Sequence, residues 1–207
     1  MDSLKLFLLF TITLFLSSQI SYAGELNLIK IDEGPEANNL TESSDFELFR
    51  YSKPTRDDLK TLCKLGIEEV MVLSGTAEEY ELKNQDVCPQ LKVVYNQEQE
   101  SKIPLTAKFL NFFDNWVMEA KAKGKKIAFR CECGCHRTGR LAAYYQMKYQ
   151  RLGLRDALVL MNEYGKHMWA KPYLDNQVRD LYAYIRNQPC KEEEKYCVNR
   201  DVAKIDL

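Results

Sequence analysis

From Lys126 to Tyr149 the chain passes from an apolar run, KIAFRC, through ECGCHRTGR into a helical pattern, with no linker between. A buried strand handed within a few residues to a helix is the joint of an α/β layer fold, because the two elements pack on one another. The rest of the chain repeats the alternation. FELFR (46–50), IEEVMVL (67–73) and LKVVY (91–95) read as strands, apolar and partly β-branched. TRDDLKTLCKLG carries a variant capping box, Thr55 with Asp58, and a stripe of Leu59, Leu62, Cys63 and Leu65 that stops at Gly66. A long helix is expected over 104–123, with Phe109, Phe113, Trp116 and Ala120 as its core stripe and Gly124 as its stop. Further helices are expected over 138–149, 155–164 and 174–185. The expectation is a three-layer α/β/α domain with a central, mainly parallel sheet. In such sheets ligands bind at the carboxyl ends of the strands, where residues 131–140 lie.

The 207 residues favour one main domain, and a net charge of −1 gives no broad basic face for nucleic acid. MDSLKLFLLFTITLFLSSQISYA (1–23) reads as a signal peptide. Lys5 and the amino terminus are positive, the apolar run is short for a span, and Ser21 and Ala23 suit a cut after Ala23. The segment holds one Lys and one Asp, so its removal leaves the net charge unchanged. No second apolar run is long enough to cross a bilayer. The chain is therefore expected to be periplasmic or secreted, soluble after cleavage and monomeric. Residues 24–45 look polar and irregular, 46–187 form the globular domain, and 188–207 are a charged, loose tail. Of the seven cysteines, Cys190 and Cys197 are close enough in sequence to pair, and export permits it.

RCECGCHRTGR can be read as a metal clamp, a redox cluster or a nucleophile in a phosphate cradle. Structural zinc sites favour C-x2-4-C pairs with a distant second pair, and the sequence offers no such pair, so no metal or other cofactor is expected. The phosphate reading uses more of the motif. A tight loop between strand and helix turns successive N–H groups inward as an anion nest, and the helix N-terminus adds positive potential. Glu132, Cys133, Gly134, Cys135 and His136 line that loop, and Gly134 permits its backbone angles. Arg137 can grip two phosphate oxygens. The same field should favour the thiolate of Cys131, placed for in-line attack. Thr138 can donate to that thiolate as it leaves. Cys133 and Cys135 either pack in the loop or offer Cys131 a reversible disulfide partner, and His136 braces the loop. Lys166, His167 and Lys171, in GKHMWAKPY, either meet further phosphates or are simply solvated.

The C-x5-R-T loop with glycine at its fourth position resembles the signature of the cysteine-based protein tyrosine phosphatase superfamily. GCHRTGRLAAYY is most similar to its atypical dual-specificity branch, and FRYSKPTRDDLKTLCKLGIEEVMVL resembles the entry segment of small members. The resemblance spans roughly 46–185. It implies a phosphatase domain over 46–187, a phosphocysteine at Cys131, a phosphate clamp at Arg137 and a leaving-group helper at Thr138. Two departures stand out. Arg130 replaces the histidine that usually precedes the nucleophile. The loop that usually carries an aspartic general acid, here NQEQESK (96–102), has none, so Glu98 or Glu100 takes that part, or neither does. Exported relatives include phosphatase-like phytases, which implies a small inositol polyphosphate, inositol hexakisphosphate above all, as the substrate. A phosphotyrosine or dual-specificity enzyme is the alternative, and a non-catalytic phosphate binder is a third reading.

Overall fold

The computed structural model describes residues 26–33 and 45–200; the leader expected over 1–23 lies outside them. Five strands form one sheet in the order β1-β2-β5-β3-β4. They are β1 (Ile29–Glu33), β2 (Glu47–Tyr51), β3 (Ile67–Val72), β4 (Lys92–Asn96) and β5 (Lys126–Arg130). β2, β5, β3 and β4 run parallel, and β1 pairs antiparallel to β2 at the edge. The five α-helices are α1 (Arg56–Lys64), α2 (Ala107–Lys123), α3 (His136–Tyr149), α4 (Leu154–Glu163) and α5 (Pro172–Ile185). No helix among the described residues is long and apolar enough to cross a membrane.

The strands' period of two divides the apolar residues between two cores, as a sheet covered on both faces requires. Ile127, Phe129 and Cys131 join one core with residues of α2, α3, α4 and α5. Ala128, Val70 and Val72 join the other with Leu59 and Leu62 of α1. Phe113 anchors the larger core, its ring set edge-on to Phe129 at 5.9 Å and near Tyr144 and Tyr145. The expected stripe of Phe109, Phe113, Trp116 and Ala120 is buried throughout.

Helix ends follow their caps. Thr55 and Asp58 complete the capping box on α1. α2 begins at Ala107 rather than at Pro104, because Thr106 accepts the Phe109 N–H as the N-cap; Gly124, at φ 62°, ends the helix. Two segments depart from expectation. Residues 24–45 are not wholly irregular, since Ile29–Glu33 form an edge strand. The described part of the tail is not loose either. Cys190 and Cys197 form a disulfide, buried Val198 donates its N–H to Asp180 at 2.6 Å, and Ala107 N–H reaches Asn199 O at 2.8 Å.

Candidate active site

Tyr51, Val72 and Arg130 stand in register, so β2, β3 and β5 end at one level. Cys131 follows there, 1% exposed. The loop it opens turns into α3 two residues earlier than expected, at His136, with Cys135 as its N-cap. The first turn of the helix therefore contains His136, Arg137 and Thr138. Gly134 has φ +66°, and a Cβ there would lie 2.8 Å from the carbonyl carbon and oxygen of Tyr51. Both the backbone angle and the space demand glycine.

Every carbonyl from Glu132 to Cys135 faces a donor outside the loop. Lys53 N–H holds Glu132 O at 2.8 Å, and Asn27 Nδ2 holds Cys133 O at 3.3 Å. Buried Arg50 donates to Gly134 O at 2.5 Å and Cys135 O at 3.4 Å. In a trans peptide the N–H points opposite the C=O, so anchoring these oxygens outward leaves amides for an anion on the other side. Burial lowers the Arg50 pKa to about 10, still cationic at neutral pH.

The three loop thiols are unequal, and not in the expected order. A hydrogen bond to Cys133, then burial, push the Cys131 thiol up to about 12, against the Thr138 hydroxyl and N–H, which pull it down. Cys135 is instead lowered to about 7, first by its own hydrogen bond with Cys133. At Cys131 the neighbouring thiol and the dry surroundings outweigh the helix end. All three remain free. The Thr138 hydroxyl is buried, and the Cys131 thiol is the group it acts on.

His136 ties the loop to the turn of Lys166. Its Nε2 lies 2.7 Å from Lys166 O and its Nδ1 3.7 Å from Cys133 Sγ, and burial lowers its pKa. Arg137 Nη1 reaches Leu73 O at 3.4 Å and the Glu98 carboxylate at 3.1 Å. A strand-end thiol, an anchored loop and an arginine in the first turn of the helix are the parts of a phosphoryl-transfer site. The family model described as the catalytic domain of dual specificity phosphatases matches residues 48–187. This chain belongs to the dual-specificity phosphatase family. It is a cysteine-based phosphoric monoester hydrolase.

Solved phosphatase structures share the fold. TpbA of P. aeruginosa, in complex with pTyr, superposes with TM-score 0.51 at 19% identity over 68% of this chain and 86% of its own. PTPMT1, in complex with PI(5)P, gives 0.54 at 11% identity over 77% and 97%. Tk-PTP in its active form gives 0.51 at 19% over 66% and 90%. No curated protein sequence matches the phosphatase.

The remaining sequence candidates separate on the structure. Glu98 lies against Arg137; Glu100 turns its main-chain oxygen to Arg140 at 3.4 Å and leaves its side chain in solvent. Glu132 points away to Thr76 Oγ1 at 3.0 Å and Lys53 at 3.8 Å. Lys166 and His167 are exposed. Half-buried Lys171 lies near enough for its charge to depress the His136 pKa. The turn these three residues share carries Trp169, 84% exposed.

Arg130 does not bear on the thiol. Its side chain leaves the opposite face of β5 and pairs with Glu81 through Nε at 2.6 Å and Nη2 at 2.5 Å, both residues buried. It also donates to Ser74 and Thr76, and Tyr51 completes the Glu81 carboxylate. The cation in the usual histidine position thus braces residues 74–81. Sequence reasoning missed Arg50, Glu81, Arg140 and Gln177. The signal for Arg50 and Arg130 was present: each is a charge at the end of an otherwise buried strand, which must find a partner.

Proposed function

We propose that this phosphatase hydrolyses phosphomonoesters through a phosphocysteine at Cys131, with Glu98 as general acid, and that its substrate is an inositol polyphosphate such as inositol hexakisphosphate. The observation that carries the reading is the contact between Glu98 and Arg137 beside the anchored loop. A phosphoryl group gripped by Arg137 must displace that carboxylate, which then faces the phosphate oxygens it has replaced. A carboxyl facing a dianion favours its protonated form, the form an acid needs.

Cys131 gives its thiol proton to the entering phosphate dianion, and Sγ then attacks phosphorus while the P–O ester bond breaks and the departing oxygen takes the Glu98 proton. Water then attacks the phosphocysteine, Glu98 carboxylate takes its proton, and the Thr138 hydroxyl donates to the sulfur as the S–P bond breaks. Glu100 is the weaker candidate because it is attached to Arg140, away from the clamp.

Two features support a polyphosphate. Lys166 and Lys171 stand on the turn that His136 ties to the loop. Glu132 is turned to Thr76 and Lys53, so it does not face an entering anion unpaired. PTPMT1, of the same fold, takes an inositol phosphate lipid. TpbA takes pTyr, and exposed Trp169 at the rim favours this second reading, an aromatic phosphoester. The Cys190–Cys197 disulfide fits an exported protein, and a mature chain beginning at Gly24 would be found by sequencing the secreted or periplasmic form.

The test is phosphate release from inositol hexakisphosphate beside a phosphotyrosine peptide, without metal. Vanadate should inhibit, and Cys131→Ser should bind ligand without turnover. Preference for the peptide transfers the assignment to the second reading; binding without release from either ester makes the chain a phosphate binder.

A further inference from the structure

Arg140 lies one helical turn beyond Arg137 on α3, with no exposed surface. Among the described residues no carboxylate pairs with it. Its donors go instead to main-chain oxygens of a single loop: Nη1 to Ser101 O at 3.4 Å and Ile103 O at 2.7 Å, Nη2 to Glu100 O at 3.4 Å. Nη1 also meets Gln177 Oε1 on α5. Gln177 spends its amide on the same stretch, donating to Ser101 O at 3.2 Å and Lys102 O at 3.1 Å. Ser101 Oγ lies 3.1 Å from the Tyr173 hydroxyl, again on α5.

This arrangement is unusual in physical terms. Carbonyls of a surface loop normally bond to water. Here four successive residues, 100–103, give theirs to a buried cation and a buried amide. Burial without a counter-charge lowers the Arg140 pKa to about 9, so the charge is held at a cost. An apolar side chain would fill the space without that cost. What the guanidinium adds is a fixed set of donors for three carbonyls at once. The other end of the loop is tied to β3, with Gln99 N–H on Leu73 O at 2.9 Å and a bridge between Ser74 and Glu98. Glu98 belongs to that attachment, and the four residues held by Arg140 and Gln177 begin two positions after it.

We propose that Arg140 is a positioning residue. It fixes the 98–103 loop through main-chain oxygens, so that the Glu98 carboxyl stands over the phosphate site. The proposal rests on the reading that a glutamate of this loop protonates the leaving oxygen. Loss of an acid, unlike loss of the fold or of the phosphate cradle, shows in the leaving group. An alkoxide needs the proton; p-nitrophenolate does not.

The experiment compares Arg140→Met with the parent on glycerol phosphate and on p-nitrophenyl phosphate, with vanadate inhibition as the measure of the cradle. We expect kcat/KM, which reports the steps up to leaving-group departure and not the hydrolysis of the phosphocysteine common to both esters, to fall about 100-fold on the alkyl ester, the scale of general acid catalysis, with the aryl ester within about threefold and vanadate affinity kept. Equal loss on both esters, or no loss, overturns the proposal. If Arg140→Met does not fold, Gln177→Met removes two bonds to the same loop, at Ser101 O and Lys102 O, and should show the same split in smaller measure; its absence is equally decisive. Glu98→Gln in the same assay separates the two ideas. A split there but not at Arg140 sinks the positioning role and leaves the acid. A split at Arg140 but not at Glu98 keeps the loop and moves the acid to another of its residues.

Discussion

At the scale of single residues the 131–137 loop is a problem in thiol chemistry. Three sulfurs share hydrogen bonds, and the low-lying thiol is Cys135, lowered to about 7, while Cys131 is pushed up to about 12. A thiol whose pKa is lowered ionises as pH rises through the lowered value. Ultraviolet thiolate absorbance should therefore show a step near 7 that Cys135→Ser removes and Cys131→Ser keeps. Cys133→Ala deletes the largest influence raising Cys131 and should bring its titration down; an unmoved Cys131 would mean that burial alone sets it. Gly134 makes a separate prediction. Alanine there meets Tyr51 backbone at 2.8 Å and must hold φ near +66°. Gly134→Ala should lose about 1–3 kcal/mol in urea denaturation, together with vanadate binding.

At the scale of elements, the buried Arg130–Glu81 pair locks the end of β5 to the 74–81 segment. Glu81→Gln leaves a buried guanidinium short of its counter-charge, and about 3–5 kcal/mol of stability should go, measured by urea unfolding. The Met168–Ala170 turn offers an optical test. Of the two tryptophans, Trp116 is buried and Trp169 is 84% exposed. Fluorescence from Trp169 should change when a phosphoester fills the loop of Cys131→Ser, and Trp169→Phe should abolish the change. How much of this was legible varied with how local the cause was. The strand–loop–helix joint, the Thr55 cap and the Phe113 stripe are set by neighbours in sequence, and they could be read. The period of two also placed Arg130 on the face away from Cys131, although its charge drew attention to the thiol instead. β1 could not be read, because IKIDE is short, half charged and a strand only through its pairing with β2. Arg50 and Arg140 were missed for the same reason: their partners lie 84 and 37 residues away.

At the scale of the whole molecule, two cores on opposite faces of one sheet meet at the strand ends where the site is built. The tail belongs to this body, running from α5 through the disulfide to the start of α2. A chain ending at Gln188 uncovers Asp180 and the α2 N-terminus; its melting temperature should fall while vanadate still binds, since among the described residues no hydrogen bond or ion pair joins the tail to the 131–137 loop. The opposite end of the chain behaves differently. The family match begins at Leu48, and a chain trimmed to that boundary would keep four of the five strands. It would lose Leu26, whose carbonyl holds Ser52 N–H at 2.7 Å, and Asn27, whose amide holds the Cys133 carbonyl. The physical boundary of the enzyme therefore precedes the homologous one by some twenty residues. With the proposed leader cut after Ala23, only Gly24 and Glu25 separate the new amino terminus from Leu26. If the proposed cut after Ala23 is made, a fusion or tag at the new amino terminus stands four residues in sequence from Asn27, which holds the Cys133 carbonyl, and should perturb the active site rather than serve as a neutral handle.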